Sequence, residues 1–362
     1  MSFNAIRDQE VAVRLLQNMV REKRIPNGLL FLGPGGVGKA MAATELAKAI
    51  NCTAGGTEPC DECLSCRKIA HGNHPDIKIV TPATKNREIL KKDIDEINEL
   101  AALRPFESQW RIFIIRDADR MRREAQDHFL KTLEEPPGKS VFILISEYPR
   151  MLLPTIRSRC QSVRFRALRR ETVADLLLKL RDLDANTADS IAGISEGEMS
   201  RALDLVDSDK RDIVLALAHK LADGDDPVVM AEEFAAFLES RRKEIESAVK
   251  AEMGIDDANE LSRDDLERLK EQRVAQLNAV IKRDILELLH LLATWYRDAA
   301  VLGETHDREQ VWNKDQLERL ERESTASVGE KIRAIEQTRV YLDRYIPEER
   351  VFRDLFLTLA KA

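Results

Sequence analysis

The first half of the chain alternates between two kinds of apolar pattern. Four segments place apolar side chains three or four positions apart, which is typical of amphipathic helices: residues 11–20, 41–50, 90–101 and 125–133. Short apolar runs that predict buried strands lie around and between them, at residues 28–32, 76–80, 111–115 and 141–146. Strands that alternate with helices at this spacing predict a parallel sheet covered by helices on both faces.

The strand pattern stops near Ala167, and the remaining chain is predicted to be helical. Short helices are expected over residues 170–180, 187–192 and 200–206, and nearly the whole chain after Asp212 has helical periodicity. The segment from Arg241 to Arg273 is dense in charge and is interrupted near Gly254. We interpret it as a solvated helical hairpin rather than a binding arm.

The length of the chain suits more than one domain. A chain of 362 residues predicts two or three domains. We place the boundaries so that residues 1–167 form the α/β domain, 168–211 a small helical domain and 212–362 a larger helical domain. The net charge of −7 argues against a polybasic nucleic-acid binder, although it leaves room for a local basic face.

The first residues of the chain and its cysteines indicate the cellular compartment. The charged first ten residues do not have the apolar core of a signal peptide, and no apolar run approaches the roughly 18 residues that span a bilayer. The chain is therefore expected to be cytoplasmic and to have no membrane partner. In that compartment its five cysteines are not expected to form disulfides.

The strand over residues 28–32 is followed by a glycine-rich loop. Its sequence, G-P-G-G-V-G-K-A, fits the nucleoside-triphosphate loop G-x4-G-K-[S/T] at every position but the last. Backbone N–H groups and a lysine would hold phosphate there, but the final alanine cannot ligate magnesium as a hydroxyl would. ATP is thus a possible ligand, and normal hydrolysis is not expected. The residues predicted to bind nucleotide are Gly33, Gly35, Gly36, Val37, Gly38, Lys39 and Ala40.

A second departure from an active ATPase follows the strand over residues 111–115. In an active enzyme this strand ends in Asp-Glu, which support magnesium and polarise the attacking water. Here Arg116 takes the first position and Asp117 the second. Asp119 could substitute for the missing acid, but it lies beyond the end of the strand. Ala40 and Arg116 both remove magnesium support, so together they predict little or no hydrolysis.

Four cysteines form a separate signal between residues 52 and 66. Cys52, Cys60, Cys63 and Cys66 have the spacing C-x7-C-x2-C-x2-C, which suits a closed tetrahedral zinc site with a structural role. The alternatives are four free thiols or a redox pair formed by Cys60 and Cys63. His71 and His74 follow closely but are not needed, because four sulfurs already fill the coordination shell.

Residues 154–160, P-T-I-R-S-R-C, complete a set of motifs that points to a known family. The chain resembles the clamp-loader subunits of bacterial DNA polymerase III, a branch of the AAA+ superfamily. The resemblance covers residues 5 to 205 well and is thinner over the helical remainder. It is carried by Gly33–Lys39, the four cysteines, His74–Asp76, Phe129–Pro137 and Leu153–Cys160.

The resemblance implies an AAA+ P-loop domain with a zinc module, a helical lid and a helical collar that mediates oligomerisation. It implies that Arg159 reaches the γ-phosphate in a neighbouring subunit's ATP site, as an arginine finger in trans. Arg201 fits a lid arginine of the second sensor type. Ser146 fits the first sensor position, and Glu147 beside it departs from the usual hydroxyl. The implied partners are the gamma/tau and delta subunits and, through the complex, the sliding clamp and primed DNA.

Two main functions follow from these features. The first is a clamp-loader subunit that does not hydrolyse ATP itself and serves the polymerase as an accessory subunit. The alternative is an active ATPase subunit of the gamma/tau type, which would need a hydroxyl at 40 and acids at 116 and 117. A zinc-bearing nucleotide kinase is a third reading, but it explains neither Ser158-Arg159-Cys160 nor the all-helical second half.

Overall fold

A computed structural model describes residues 2–82, 88–251, 263–323, 327–344 and 346–360. Its sheet contains five parallel strands in the order β2-β3-β4-β1-β5. The strands are β1 Gly28–Leu32, β2 Ile77–Val80, β3 Arg111–Ile115, β4 Ser140–Ser146 and β5 Gln161–Arg164.

Helices flank the strands and make up almost all of the chain after β5. In the first half they are α1 Glu10–Arg21, α2 Lys39–Asn51, α3 Leu64–Ala70, α4 Lys91–Ala102, α5 Arg123–Glu134 and α6 Pro154–Arg159. In the second half they are α7 Arg170–Leu180, α8 Ala185–Ile194, α9 Met199–Asp207, α10 Lys210–Asp223, α11 Pro227–Ala251, α12 Arg263–Thr305, α13 Leu317–Leu320, α14 Val328–Asp343 and α15 Glu348–Leu359. Within the described residues no helix is both long and apolar enough to cross a bilayer.

The predicted α/β class is confirmed, with one strand that the sequence pattern missed. β5 lies at the sheet edge, and only Val163 of its four residues is buried. An edge strand with a single apolar residue gives no alternating or continuous apolar signal. The four predicted strands match β1 to β4 within one residue at each end.

The sheet core is apolar and rich in aromatic contacts. All residues of β3 and β4 are buried, as expected for strands covered on both faces. Phe113 stacks on Phe142 with ring centroids 5.2 Å apart, and Phe129 of α5 meets Phe142 edge-on at 5.4 Å. These contacts fix α5 against the sheet and thereby set the position of its carboxyl end.

The chain divides into two compact units. The first comprises residues 1–176 and 195–201, and the second comprises residues 177–194 and 202–362. The predicted three-domain division stays a prediction. The predicted hairpin between Arg241 and Arg273 lies partly outside the described residues, because its turn near Gly254 falls in the gap between α11 and α12.

A buried carboxylate anchors a loop in each unit. In the helical unit, the fully buried Asp298 accepts hydrogen bonds from the backbone N–H groups of Trp312 and Asn313 at 2.7–3.1 Å. The chain that follows α12 is thereby tied to that helix. A buried carboxylate needs several donors to offset its desolvation, and Asp298 receives them from the loop it holds.

In the first unit Asp76 plays the same part for the loop between α4 and β3. Its carboxylate accepts from the N–H groups of Phe106 at 2.6 Å, Glu107 at 2.9 Å and Ser108 at 3.0 Å, and from Arg111 Nη2 at 3.0 Å. Burial alone would raise the pKa of Asp76, but these hydrogen bonds outweigh it and hold the pKa well below its usual range.

We expect Asp76→Asn to lower the free energy of unfolding by about 3 kcal/mol at pH 7, because Arg111 would lose its buried counter-charge. The folded-state pKa is depressed, so this stabilisation is present above the unfolded pKa of about 4 and is lost as the pH falls below it. Urea unfolding at pH 7 and pH 2.5 measures both effects.

Glu96→Gln is the control for this prediction, because Glu96 forms an exposed ion pair with Lys78 and should contribute under about 1 kcal/mol. An Asp76→Asn deficit of the same size at both pH values would contradict the assigned role of the carboxylate.

Candidate functional site

The glycine-rich loop runs from the end of β1 to the first turn of α2. Gly36 has a φ angle of +75°, in the left-handed region that favours glycine. A Cβ atom at Gly36 would also lie 2.3 Å from the backbone nitrogen of Ser200. Strain and lack of space therefore both exclude a side chain at this position.

The first turn of α9 covers the loop. A Cβ atom on Gly35 would lie 2.1 Å from Ser200 Oγ and 2.8 Å from Glu147 Oε1. Sequence reasoning singled out the next residue, Arg201, and missed Ser200. Arg201 is about one-fifth exposed, and its Nη1 lies 3.9 Å from Glu196 Oε2. The structure thus brings Ser200 against the two glycines, and the role of Arg201 as a lid arginine stays a prediction.

The loop's lysine is bound by the loop itself. Lys39 is buried, and its Nζ donates to the carbonyl oxygen of Gly33 at 2.6 Å and to that of Pro34. Burial lowers the pKa of Lys39, and nearby carboxylates oppose that shift. The ammonium group that a phosphate would need is therefore already engaged with two carbonyl groups.

Four carboxylates lie close enough to Lys39 to act on its charge: Glu147, Asp119, Asp117 and Glu198. Asp119 Oδ1 also accepts a hydrogen bond from the backbone N–H of Glu147 at 3.2 Å. An anionic ligand in the loop would approach these carboxylates, and like charges at short range repel. The surroundings of the loop are thus less favourable to a polyphosphate than those of a loop with hydroxyl neighbours.

Two positions would support magnesium in an active ATPase, and they lie after the strands where the sequence predicted them. Ala40 lies in the first turn of α2 and offers only a methyl group. Arg116 follows β3 with an exposed side chain, and Asp117 adopts a left-handed backbone with φ +47°. Ser146, at the end of β4, is buried, and its hydroxyl oxygen has no hydrogen-bond partner.

The four predicted metal ligands come together. The sulfur atoms of Cys52, Cys60, Cys63 and Cys66 all lie within 4.8 Å of one another. Four sulfurs bound to one zinc ion at about 2.3 Å would be about 3.8 Å apart, so the cluster fits that geometry with little adjustment. The site can therefore hold a metal ion such as zinc.

Backbone amides support the cysteine cluster. The N–H of Cys63 donates to Cys60 Sγ at 3.3 Å, and the N–H of Cys66 donates to Cys63 Sγ at 3.4 Å. Burial opposes ionisation of Cys63, but hydrogen bonds from Cys66 and Thr53 outweigh it and lower its pKa to about 6. A thiolate stabilised by amides is the form that binds metal.

A buried ion pair ties the cysteine loop to α2. Lys48 is buried, and its Nζ lies 2.8 Å from Glu45 Oε1 and 2.5 Å from Asp61 Oδ1. Asp61 lies between Cys60 and Cys63, so α2 holds the segment that carries the ligands. Sequence reasoning offers no sign of this contact, because a lysine on a helix is usually solvated.

The two histidines near the cysteines are outside the cluster, as expected. His74 is buried, and its Nδ1 accepts from the N–H of Asp76 at 3.1 Å, while its Nε2 lies 3.2 Å from Ser65 Oγ. His71 Nδ1 is hydrogen-bonded to the carbonyl oxygen of Arg67 at 2.7 Å. Both histidines therefore have local structural partners.

Arg159 is the last residue of α6 and is partly exposed. Its Nη2 lies 2.5 Å from Glu134 Oε1, and its Nη1 donates to the carbonyl oxygen of Thr155 at 3.1 Å. Cys160 packs inward, and burial raises its pKa to about 12. The motif thus combines a buried anchor with a surface guanidinium.

Comparison with known proteins identifies the class. Residues 8–169 match the family model described as DNA polymerase III, delta subunit. The chain is 36% identical over 202 residues to DNA polymerase III subunit delta′ of Bacillus subtilis, covering 56% of this chain and 60% of that protein. It is 32% identical over 211 residues to subunit tau of the same organism, covering 57% of this chain and 37% of tau.

The chain therefore spans less than two-thirds of the length of these curated relatives. Among solved structures, a DNA polymerase III gamma-subunit-related protein from Thermotoga maritima is similar over 98% of this chain and 99% of that one, with a TM-score of 0.41 and 16% identity.

The parallel sheet and the glycine-rich loop after its first strand define an α/β protein of the P-loop class. Within that class, residues 8–169 are similar to subunits of DNA polymerase III.

We expect protein purified without chelator to contain one zinc ion per chain, because four thiols converge on one point. Lys48→Met should accelerate zinc release to a chelator, since the ligand segment would lose its tie to α2. Metal analysis and the rate of zinc transfer to a coloured chelator measure the two effects.

Lys68→Met is the matched control, because Lys68 Nζ lies 2.6 Å from Glu107 Oε2 and Glu107 is not in the segment that carries the cysteines. Less than a few tenths of an equivalent of zinc, with four thiols titrating freely in the folded protein, would contradict the metal site.

Proposed function

We propose that the chain is a delta-prime-type subunit of the clamp loader, which does not hydrolyse ATP itself and supplies Arg159 to a neighbouring ATPase subunit. The observation that carries this proposal is the state of the glycine-rich loop. Ala40 follows its lysine without a hydroxyl group and Arg116 follows β3 in place of an acid, so neither residue can hold magnesium. A subunit of this kind contributes to catalysis only through an interface.

The electrostatics around the loop favour this reading over autonomous hydrolysis. Phosphoryl transfer depends on magnesium and cationic groups that neutralise the charge on the transferred phosphate. Here Asp117, Asp119 and Glu147 lie near the loop, and the residue at position 40 has no hydroxyl group to bind magnesium. Without magnesium held at positions 40 and 116, these carboxylates have no cation to offset their charge next to a phosphate.

The geometry of Arg159 supports its role in trans. The residue ends a short helix and its side chain is 36% exposed, so a neighbour can reach it. A guanidinium is always charged and offers paired N–H groups that match phosphate oxygens. Arg157, on the same helix, is exposed too and gives an internal comparison.

The proposed partners are the gamma/tau and delta subunits. The relatives from Bacillus subtilis bear the names of DNA polymerase III subunits, which supports membership of that assembly. The helical segment over residues 212–362 would serve as the collar that joins the subunits. The proposed lid over residues 168–211 includes Arg201, which would face any nucleotide held at Gly33–Ala40.

The charge distribution supports a position near primed DNA. Residues 1–169 contain 28 Lys and Arg against 21 Asp and Glu, whereas residues 170–362 contain 29 against 43. In the first unit the segments that precede α4 and α5 are paired through Ile89 and Met121, so the amino ends of both helices lie side by side. Helix amino termini and cations both attract phosphate.

An active gamma/tau-type ATPase is the second candidate. The 32% identity to tau over 211 residues, 57% of this chain, favours it. The two candidates differ in whether the isolated chain turns over ATP.

We expect the isolated chain to show no ATP turnover above a heat-treated sample, because magnesium support is lost at positions 40 and 116. Ala40→Thr alone should not restore turnover, since Arg116 still repels the cation. Release of phosphate under saturating ATP and magnesium measures this, and turnover typical of an active motor subunit would favour the gamma/tau reading.

Arg159→Ala should leave folding and assembly intact and reduce the DNA- and clamp-stimulated ATPase of the reconstituted complex by a factor on the order of 10³ at the affected interface. Steady-state hydrolysis and the rate of clamp loading measure the loss. Arg157→Ala is the control and should have much less effect. If Arg159→Ala left the rate of clamp loading unchanged, the proposed role of Arg159 would be contradicted and the subunit would serve only as a scaffold.

A further inference from the structure

The guanidinium proposed to act in trans is already held by an acid of its own chain. Arg159 ends α6 and Glu134 ends α5, and Nη2 of the arginine lies 2.5 Å from Oε1 of the glutamate. The carbonyl oxygen of Thr155 accepts a second hydrogen bond, from Nη1, at 3.1 Å. Two of the five N–H groups of the side chain are therefore engaged within the subunit.

We propose that Glu134 is a latch that holds Arg159 on its own surface until a neighbouring subunit presents a nucleoside triphosphate. The contact is autoinhibitory, because it keeps the ATPase interface in a low-activity state when the loader is at rest. This inference rests on the proposed role of Arg159 in trans.

Competition between two anions provides the switch. A carboxylate beside the guanidinium neutralises its charge and would repel a phosphate that approaches the same group. A triphosphate carries several charges and can make bidentate contacts with the guanidinium, so it can displace a single carboxylate once it is close. In the resting state Arg159 is then paired with Glu134, and in the engaged state Arg159 is paired with the phosphate.

The exposure of the pair makes the latch weak enough to open. The side chains of Arg159 and Glu134 are 36% and 49% exposed. Ion pairs with this exposure contribute up to about 1 kcal/mol, which corresponds to about a fivefold shift in population. Removing the latch should therefore change the resting rate by a few-fold and leave the fully engaged rate nearly unchanged.

The surroundings leave room for the arginine to move. An open depression adjoins the pair and is lined by residues that include Asn27, Pro136 and Ser158. Pro136 and Pro137 follow α5 and cannot continue the helix, so they fix where Glu134 ends it. The backbone position of Glu134 is thus fixed, and the pair can open by rotation of the long side chain of Arg159.

The chain offers a matched control one residue away. Glu135 is exposed, directly follows Glu134, and has no side-chain partner among the described residues. Glu135→Gln removes the same charge from the same surface without touching the latch. Any effect of net charge alone would appear in both variants.

The experiment compares loaders reconstituted with wild-type, Glu134→Gln, Glu135→Gln, Arg159→Ala or doubly substituted Glu134→Gln/Arg159→Ala subunits. ATP hydrolysis is measured without and with clamp and primed DNA, and thermal unfolding of each subunit checks its fold. Glu134→Gln should raise the unstimulated rate by up to about fivefold and leave the stimulated rate unchanged. Glu135→Gln should match wild type, and the double variant should match Arg159→Ala.

The outcomes separate the latch from the role on which it rests. If Arg159→Ala changes neither rate, the proposed function fails and the latch fails with it. If Arg159→Ala lowers the stimulated rate but Glu134→Gln leaves the unstimulated rate at the wild-type value, only the latch is overturned. A fall in the stimulated rate with Glu134→Gln would also overturn it, because Glu134 would then position the finger rather than restrain it.

Discussion

Helix α2 is fixed at both ends, and much of the first unit depends on that constraint. It begins at Lys39, whose ammonium group is bound by the glycine-rich loop, and it ends directly before Cys52, the first ligand of the cysteine cluster. Between these ends Lys48 and Asn51 connect it to the cysteine loop and to Trp110 before β3. Because a helix is stiff along its axis, α2 holds the glycine-rich loop and the cysteine cluster at a fixed distance from each other.

This arrangement connects the cysteine cluster, which could hold a metal ion, to a loop of phosphate-binding type. The cysteine-bearing segment is rich in glycine and polar residues and cannot form its own apolar core. A metal ion would supply the missing stabilisation, and the buried Lys48 would pass it to α2. The module is then a support for the helix that carries the loop.

The sequence predicts what depends on local pattern, and it misses contacts between distant residues. Strands β1 to β4, the glycine-rich loop and the cysteine spacing are all visible within short windows. Edge strand β5 is not, because only Val163 of its residues is buried. The packing of Ser200 on Gly35 and the pairing of Glu134 with Arg159 join residues far apart in the chain. Periodicity says nothing about which partner a polar side chain takes.

The packing of α9 on the glycines also limits which substitutions the glycine-rich loop can accept. A hydroxyl at position 40 can be lost without disturbing any contact, since the methyl group of alanine fits the first turn of α2. Gly36 has no such freedom, because its φ angle is +75° and a Cβ there would lie 2.3 Å from the backbone nitrogen of Ser200. This glycine is therefore required by packing, whether or not a phosphate binds at the loop. In proteins of this kind, a search for the glycine pattern alone reports ancestry and packing, and the residue after the lysine is the better guide to activity.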